Sequence, residues 1–556
     1  MTTGKRDILI IAVLSALLFI PFIGNVHLFD WDEINFAECS REMIETGDYL
    51  RVHIDYEPFW EKPPLFFWFQ AASMHIFGIN EFAARLPNAV AGVVTLVLLY
   101  LIGNRISGRV FSLFWVIAYA GSILPFFYFK SGIIDPLFNL FMFLAVYYLY
   151  KRYSLGHKEH AVLFLSGFFA GLAILIKGPV GYLLPFLTLV VFFLIKRKTI
   201  SFDFKGLFLF SVYAAIVSLL WFGAEIMSNG TWFMERFIHY QIRLLTTGDA
   251  GHSGPIYYHV VVLLIGCFPA SVLLFSGIGK KTEMNEAGNG MKLWMIILLA
   301  VVVIIFSIVK TKILHYSSLA YYPITYLAAV GMYQLVTGKS QWNWKKSTGL
   351  IVLAVIPSVL FTAIPLAGMF KADIIPVLRD KFVAGNLQAD VQWLGFEWII
   401  GLIIFIGTGV SIIYLHKKEF VRGFVILFGS VVVTLSLFLP LTIPKLEGYI
   451  QGAPIEFYKE ISGRDVYVKA IGFRSYADLY YSFKPKKLSA SAAGVPHTEW
   501  EKWLADSGKP KYPAYFVTKI NEKEKLMEKY PKLKILKEKN GFVFFVRQDS
   551  TTSRNE

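Results

Sequence analysis

Apolar runs recur along the chain and leave thirteen segments that read as membrane spans. They lie at approximately 8–27, 87–104, 110–129, 133–150, 161–176, 179–195, 206–227, 256–279, 293–309, 317–336, 347–370, 397–415 and 423–442. Stretches of about 20 apolar residues match a bilayer core roughly 30 Å thick. The gaps between them alternate in charge. Segments 5–7, 105–109, 151–160, 196–205, 280–292, 338–346 and 416–422 together hold 20 basic and 6 acidic residues. This positive side is expected to face the cytoplasm. The other side receives 28–86, tight turns near 130 and 177, then 228–255, 310–316 and 371–396. An odd number of spans puts the N-terminus inside and the C-terminus outside.

From about residue 445 the pattern changes. DVYVKAIGF and PAYFVTK alternate like strands, while HTEWEKWLADSG and INEKEKLMEKYP read as amphipathic helices. LKILKEKNGFVFFVRQ reads as a strand pair turned at Lys-Asn-Gly. The expected fold is therefore mostly α: a polytopic helical domain over 1–444, followed by a small extracytoplasmic α/β domain over 445–556. The polar SRNE tail is expected to be disordered. No internal repeat and no low-complexity tract is visible.

Composition fits this reading. Of 556 residues, 56% are hydrophobic and 17% charged, with 50 Phe. That excludes an ordinary soluble globule. The net charge of +15 would suit nucleic acid, but nearly all of the excess sits in the cytoplasmic gaps, so no nucleic-acid partner is expected. Cys39 and Cys267 are too few for a disulfide framework and read as small apolar fillers. The first apolar stretch follows Lys5 and Arg6, lacks a small-residue cleavage site and precedes further spans. It reads as an uncleaved helix.

The chemistry concentrates in segment 28–86, which is too long for a simple connector. It holds 11 acidic and 4 basic residues. Glu33 to Thr46 has helical composition and Gly47 is a plausible C-cap, so Asp32 and Glu33 belong at a helix N-terminus. Each acid alone is explained by the helix dipole and solvent. The Gly47-Asp48 pair and the EKPPL run at 61–65 instead describe a shaped loop. Further ionisable groups stand at outer helix ends: Asp135, Lys177, Arg236, His239, Arg243, His252, Lys310, Lys312 and His315, with Tyr316 beside them. Each lysine could be snorkelling to the interface. So many cations on the outer side, against the positive-inside bias, suit recognition of an anionic headgroup.

Several of these residues carry a family resemblance. Asp32-Glu33, Ala37, Arg41-Glu42-Met43, Gly47-Asp48, Glu61-Lys62-Pro63-Pro64-Leu65 and Asn80-Glu81-x-x-x-Arg85-Leu86-Pro87 resemble the first outer loop of the lipid-A aminoarabinose transferases. Those enzymes stand with the protein O-mannosyltransferases in the GT-C superfamily of polyprenyl-phosphate-dependent glycosyltransferases. Asp135, the Lys177-Gly178-Pro179 turn and Lys310-Thr311-Lys312 with Tyr316 extend the match over about 300 residues. The Lys310 run departs from the aminoarabinose transferases, where Lys-Leu-Pro before Thr-Tyr is expected. The region after 445 adds nothing recognisable.

The resemblance implies a GT-C-type membrane glycosyltransferase of the bacterial cytoplasmic membrane. Its donor would be a polyprenyl-phosphate-linked sugar. Its acceptor, a glycolipid such as lipid A, protein Ser/Thr or a cell-wall polymer, would approach from outside. It makes Asp32 the catalytic carboxylate, which suits a general base near an acceptor hydroxyl. Glu33 and Asp135 are placed to orient the acceptor or a cation. Lys62, Lys177, Arg243 and Lys310 are the candidates for the donor phosphate, whose developing charge they would stabilise. Arg41, Glu61, Arg85 and Tyr316 are expected to touch the acceptor or shape the loop. A bridging divalent cation is compatible with the acids, but no dedicated metal motif is visible. No Walker-type loop is present, and a pre-activated donor needs no nucleotide. Two other functions fit the spans: a polyprenyl-lipid transporter or flippase, and a membrane scaffold. Against transport stand the absence of paired halves and the gathering of charge at the outer face rather than the midplane.

Overall fold

A computed structural model describes residues 3–247, 253–279 and 284–547. His252 and the SRNE tail lie outside the described residues. Every predicted span has a helical counterpart. Among the described residues, seven helices are long and apolar enough to cross a membrane on their own, and the bent pair Tyr258–Gly266 and Ala270–Ile278 makes an eighth if it is one span. The remaining predicted spans fall on the shorter or more polar helices Thr3–Phe19, Asp135–Tyr153, Val180–Lys196 and Tyr321–Val336, and on a shared helix, Glu81–Ala120.

That shared helix holds two predicted spans. They are separated by Gly108, whose φ of 82° breaks the regular turn; a left-handed residue is cheap only for glycine. The first helix ends at Phe19, well short of the predicted 27. Pro21 follows, and the residue before a proline is disfavoured in the α region. The carbonyls left open there are taken by Lys130, whose ammonium donates to Leu18 at 2.9 Å and Pro21 at 2.8 Å. The predicted span 256–279 is instead bent by 105°. Pro269, at the start of the second half, has no N–H to continue the helical ladder.

The outer loop is itself structured. Its helix runs Asp32–Thr46 and ends on Gly47 at φ 70°. A two-stranded hairpin pairs His53–Ile54 with Glu57–Pro58, and Leu65–Phe77 forms a second helix. The helix that follows is capped by the Asn80 side chain, which accepts from Ala83 N at 2.8 Å.

At the other end, the last long helix, Phe420–Ile450, continues past the boundary expected at 445. Beyond Gly452–Ile461 comes a four-stranded sheet in the order 467–470, 514–519, 542–547, 533–539. The first pair is parallel and the others antiparallel. The hairpin turns at Asn540 and Gly541, both at positive φ, the conformation a two-residue hairpin needs. Helical turns between Trp500 and Ser507 and the helix Lys523–Lys529 fall where the amphipathic segments predict them.

This terminal unit sits on the outer loop. One apolar cluster joins Leu28, Ile34, Ala37, Met74 and Ala83 to Ile455, Phe457, Tyr458, Tyr480 and Phe544.

Candidate active site

The first turn of the Asp32–Thr46 helix opens onto a cavity of about 630 Å³. Helix ends and loops from most of the bundle meet here. Asp30, Trp31, Asp32 and Glu33 line one wall; Glu61 and Lys62 come from the same loop. Lys177, His315, Tyr316 and Tyr240 add to the polar lining, as do Arg85, Lys130 and Gln241. Phe22, Val26, Val180, Leu183, Leu439 and Ile443 make an apolar remainder. Asp32 is the first residue of its helix, so its carboxylate lies at the positive end of the helix dipole. Its side chain is one-third exposed.

His315 links two of the predicted carboxylates. Its Nε2 lies 3.8 Å from an oxygen of Asp32 and 3.8 Å from one of Asp135. Asp135 is buried and opens the helix Asp135–Tyr153. Its other oxygen accepts from Lys177 Nζ at 2.6 Å. Lys177 is the last residue of its helix, a favourable place for a cation; its ammonium lies 5.2 Å from the Tyr316 ring centroid. Lys62 lies over Tyr240, 5.1 Å from that ring. Among the described residues it has no carboxylate within ion-pair distance. Asp32, Asp135, Lys62, Lys177 and Tyr316 thus converge, with Glu61 on the same wall.

Glu33 is occupied differently. Both its oxygens face Arg85, with Nε at 2.9 Å and Nη2 at 2.7 Å, and it also accepts from Phe29 N and Gly132 N. Arg85 uses its remaining donors on the carbonyls of Ile23, Val26 and His27. This buried pair fastens the cavity wall and has no free oxygen for an acceptor. Arg41 is also structural. It pairs with Glu38 at 2.7 Å and with Glu45, and donates to the Lys484 carbonyl at 3.0 Å. Lys310 and Arg243 do not line the cavity. Lys310 is exposed after the helix Glu286–Ile308. Arg243 is exposed on the helix Trp232–Thr246, 5.2 Å over the Tyr240 ring, and so stands at the rim. Arg236 lies over Trp60 instead. Lys312 is buried against the carbonyls of Phe306, Ser307 and Val309, capping a helix end.

Burial and pairing set the charges. Burial pushes Asp30 up to about 6, even though the Ser475 hydroxyl and Tyr476 N–H oppose it. Burial would also raise Glu33, but Arg85 and two backbone N–H groups outweigh it and hold the carboxyl below its usual range. His315 is lowered because burial outweighs the pull of the carboxylates of Asp135 and Asp32, with Lys177 and Lys62 adding to the lowering. Among the described residues, no three His, Cys, Asp or Glu side chains converge as a metal-binding group. The site's cavity carboxylates have Lys177 and His315 beside them instead.

Sequence reasoning noted His315 without giving it a role, and it missed Lys130, Tyr240 and the 474–476 segment. A histidine three residues past Lys-Thr-Lys was visible. Nothing in the sequence signalled that residues near 475 reach back to residue 30.

Known proteins share parts of this sequence and the whole of its fold. Residues 61–221 match the family model of the dolichyl-phosphate-mannose-protein mannosyltransferases. An undecaprenyl phosphate-alpha-4-amino-4-deoxy-L-arabinose arabinosyl transferase from Edwardsiella ictaluri is 27% identical over 407 residues, covering 71% of this chain and 69% of that protein. An uncharacterized protein from Aquifex aeolicus is 28% identical over 330 residues, 57% of this chain and 71% of the other. The crystal structure of ArnT from Cupriavidus metallidurans bound to undecaprenyl phosphate superposes with a TM-score of 0.74 at 19% identity, covering 99% of both chains. The full-length match gives the chain the fold of ArnT, and the family model and sequence relatives make it resemble ArnT and the protein O-mannosyltransferases, membrane glycosyltransferases of the GT-C type.

Proposed function

We propose that the protein transfers a sugar from a polyprenyl-phosphate donor to an extracytoplasmic acceptor, with Asp32 as general base. The observation that carries this reading is the cavity itself. A partly exposed carboxylate at a helix N-terminus faces two cations, Lys62 and Lys177, above an apolar wall that suits a prenyl chain. Asp32 takes the proton from the acceptor as the acceptor oxygen bonds to the sugar's anomeric carbon. The bond from that carbon to the phosphate oxygen breaks, and its electron pair leaves with the polyprenyl phosphate. Lys62 and Lys177 meet the charge that develops on the leaving oxygen. Asp135 holds Lys177 in place.

The aminoarabinose transferase relatives support a glycolipid acceptor such as lipid A; protein Ser/Thr is the other acceptor class. The charge alternation supports a bacterial inner-membrane protein with a cytoplasmic N-terminus and an extracytoplasmic C-terminal domain.

The test is lipid mass spectrometry on cells expressing wild type or Asp32→Asn at equal levels. Accumulation of one polyprenyl-phosphate sugar with loss of that sugar from lipid A or protein supports the reading and names both substrates. Unchanged pools and glycans would sink it.

A further inference from the structure

The residues leading into Asp32 are held in large part by the far end of the chain. Leu28 N donates to the Tyr481 hydroxyl at 2.6 Å, and Leu28 O accepts from Gln451 Nε2 at 2.8 Å. Asp30 N reaches Gln451 Oε1 at 3.4 Å. The Asp30 carboxylate accepts from the Ser475 hydroxyl and, at 3.4 Å, from Tyr476 N. Trp31 packs on Tyr476, with ring centroids 5.4 Å apart, and under the Arg474 guanidinium, 5.2 Å from its ring. Asp30, Trp31 and Asp32 all line the cavity. The 474–476 segment therefore grips the two cavity-wall residues that immediately precede Asp32.

We infer that the C-terminal domain is a positioning element of the transfer site, and that Ser475, through Asp30, sets the pose from which Asp32 acts. This rests on the base role proposed for Asp32. The physical reason is local. Asp32 begins its helix without a side-chain cap, so its direction depends on the extended segment before it. That segment draws few restraints from its own neighbours: Phe29 N on Glu33 and the Arg85 bonds to Val26 and His27. Its carbonyls at Phe29 and Trp31 also accept from Ile34 N and Asn35 N in the helix itself, and Gln451, 474–476 and Tyr481 hold Leu28, the Asp30 side chain and the Trp31 ring. A base displaced by about 1 Å costs on the order of 100-fold in rate, whereas a lost surface contact would not.

The test uses the full chain with donor lipid extracted from cells of the Asp32→Asn strain. Ser475→Ala, Ser475→Thr and Asp32→Asn are each compared with wild type for kcat and for affinity toward undecaprenyl phosphate alone, per monodisperse protein. Positioning predicts that Ser475→Ala loses about 10- to 100-fold in kcat with undecaprenyl phosphate affinity unchanged. Ser475→Thr, which keeps the hydroxyl, should recover most of the rate. Ser475→Ala with wild-type kcat overturns the inference; so does parallel loss of kcat and affinity in both Ser475 variants. If Ser475→Ala is not monodisperse, Asp30→Ala removes the same grip from the other side and is read by the same criteria. An active Asp32→Asn would instead overturn the base assignment. An inactive Asp32→Asn beside a fully active Ser475→Ala would leave that assignment standing and sink only the positioning role.

Discussion

Arg85 closes on Glu33 through two near-parallel hydrogen bonds of 2.9 and 2.7 Å, across 52 residues of chain. Both side chains are more than nine-tenths buried. Breaking such a pair leaves an uncompensated buried charge, at a cost of about 3–5 kcal/mol. Arg85→Ala should lower thermal stability by that order and shrink the monodisperse fraction, as read by thermal unfolding in detergent. Glu33→Gln should cost less, since a neutral amide still accepts from part of the network.

Asp32→Asn is expected to behave in the opposite way. The side chain is partly exposed and, among the described residues, makes no hydrogen bond, with His315 Nε2 3.8 Å away. Only the helix-dipole contribution, about 0.3–1 kcal/mol, is lost. Turnover should fall about 100-fold or more. A melting curve beside a rate measurement separates the two mutants: Arg85→Ala loses both, Asp32→Asn only the rate.

Lys62 and Lys177 are predicted to differ although both face the cavity. Lys177 neutralises buried Asp135 at 2.6 Å, so Lys177→Ala should destabilise the protein and weaken donor binding together. Lys62 lies only over the Tyr240 ring. Lys62→Ala should leave the melting temperature nearly unchanged and raise the donor KM about 10-fold or more, the scale of one charge-assisted phosphate contact. Equal stability losses in the two variants would contradict this division.

Asp30 carries the pH prediction. Its carboxyl is raised to about 6 by burial, so the folded state binds a proton that the unfolded chain releases near pH 4. Its contribution to stability is therefore full below the unfolded pKa and is lost as pH rises through about 6. Comparing wild type with Asp30→Asn isolates this group from the other carboxylates. Their stability difference should change by on the order of 1–2 kcal/mol between pH 4 and 7, with the wild type losing more as pH rises. A pH-independent difference would refute it.

Gly277 tests the packing of the bundle. A Cβ built there would lie 1.9 Å from the Leu327 carbonyl oxygen, and one at Gly331 would lie 2.8 Å from that of Leu273. These glycines let the helices Ala270–Ile278 and Tyr321–Val336 approach backbone to backbone. Gly277→Ala must push them apart, and overpacking of this kind costs about 1–3 kcal/mol. Thermal unfolding should register it, while Gly409→Ala, where a Cβ meets nothing, should be nearly neutral.

The sequence by itself determined much of this protein. Apolar length and charge alternation located the helices because a spanning segment must satisfy its backbone internally and be apolar outside. Gly47 and the Asn540-Gly541 turn were legible because caps and tight turns demand particular residues. The Asp32 motif was legible because its local order carries the family likeness. Only the tertiary structure decided which charges are free. Glu33 and Asp32 are neighbours with the same functional group, yet Arg85, 52 residues away, consumes one and leaves the other facing the cavity. Arg243 and Lys310 resemble Lys62 in sequence but stand off the cavity wall. The reach of Ser475 back to Asp30 spans 445 residues. Local composition sets which residues form a helix or carry charge, but pairing between distant side chains is set by packing, which has no periodicity in the sequence to reveal it.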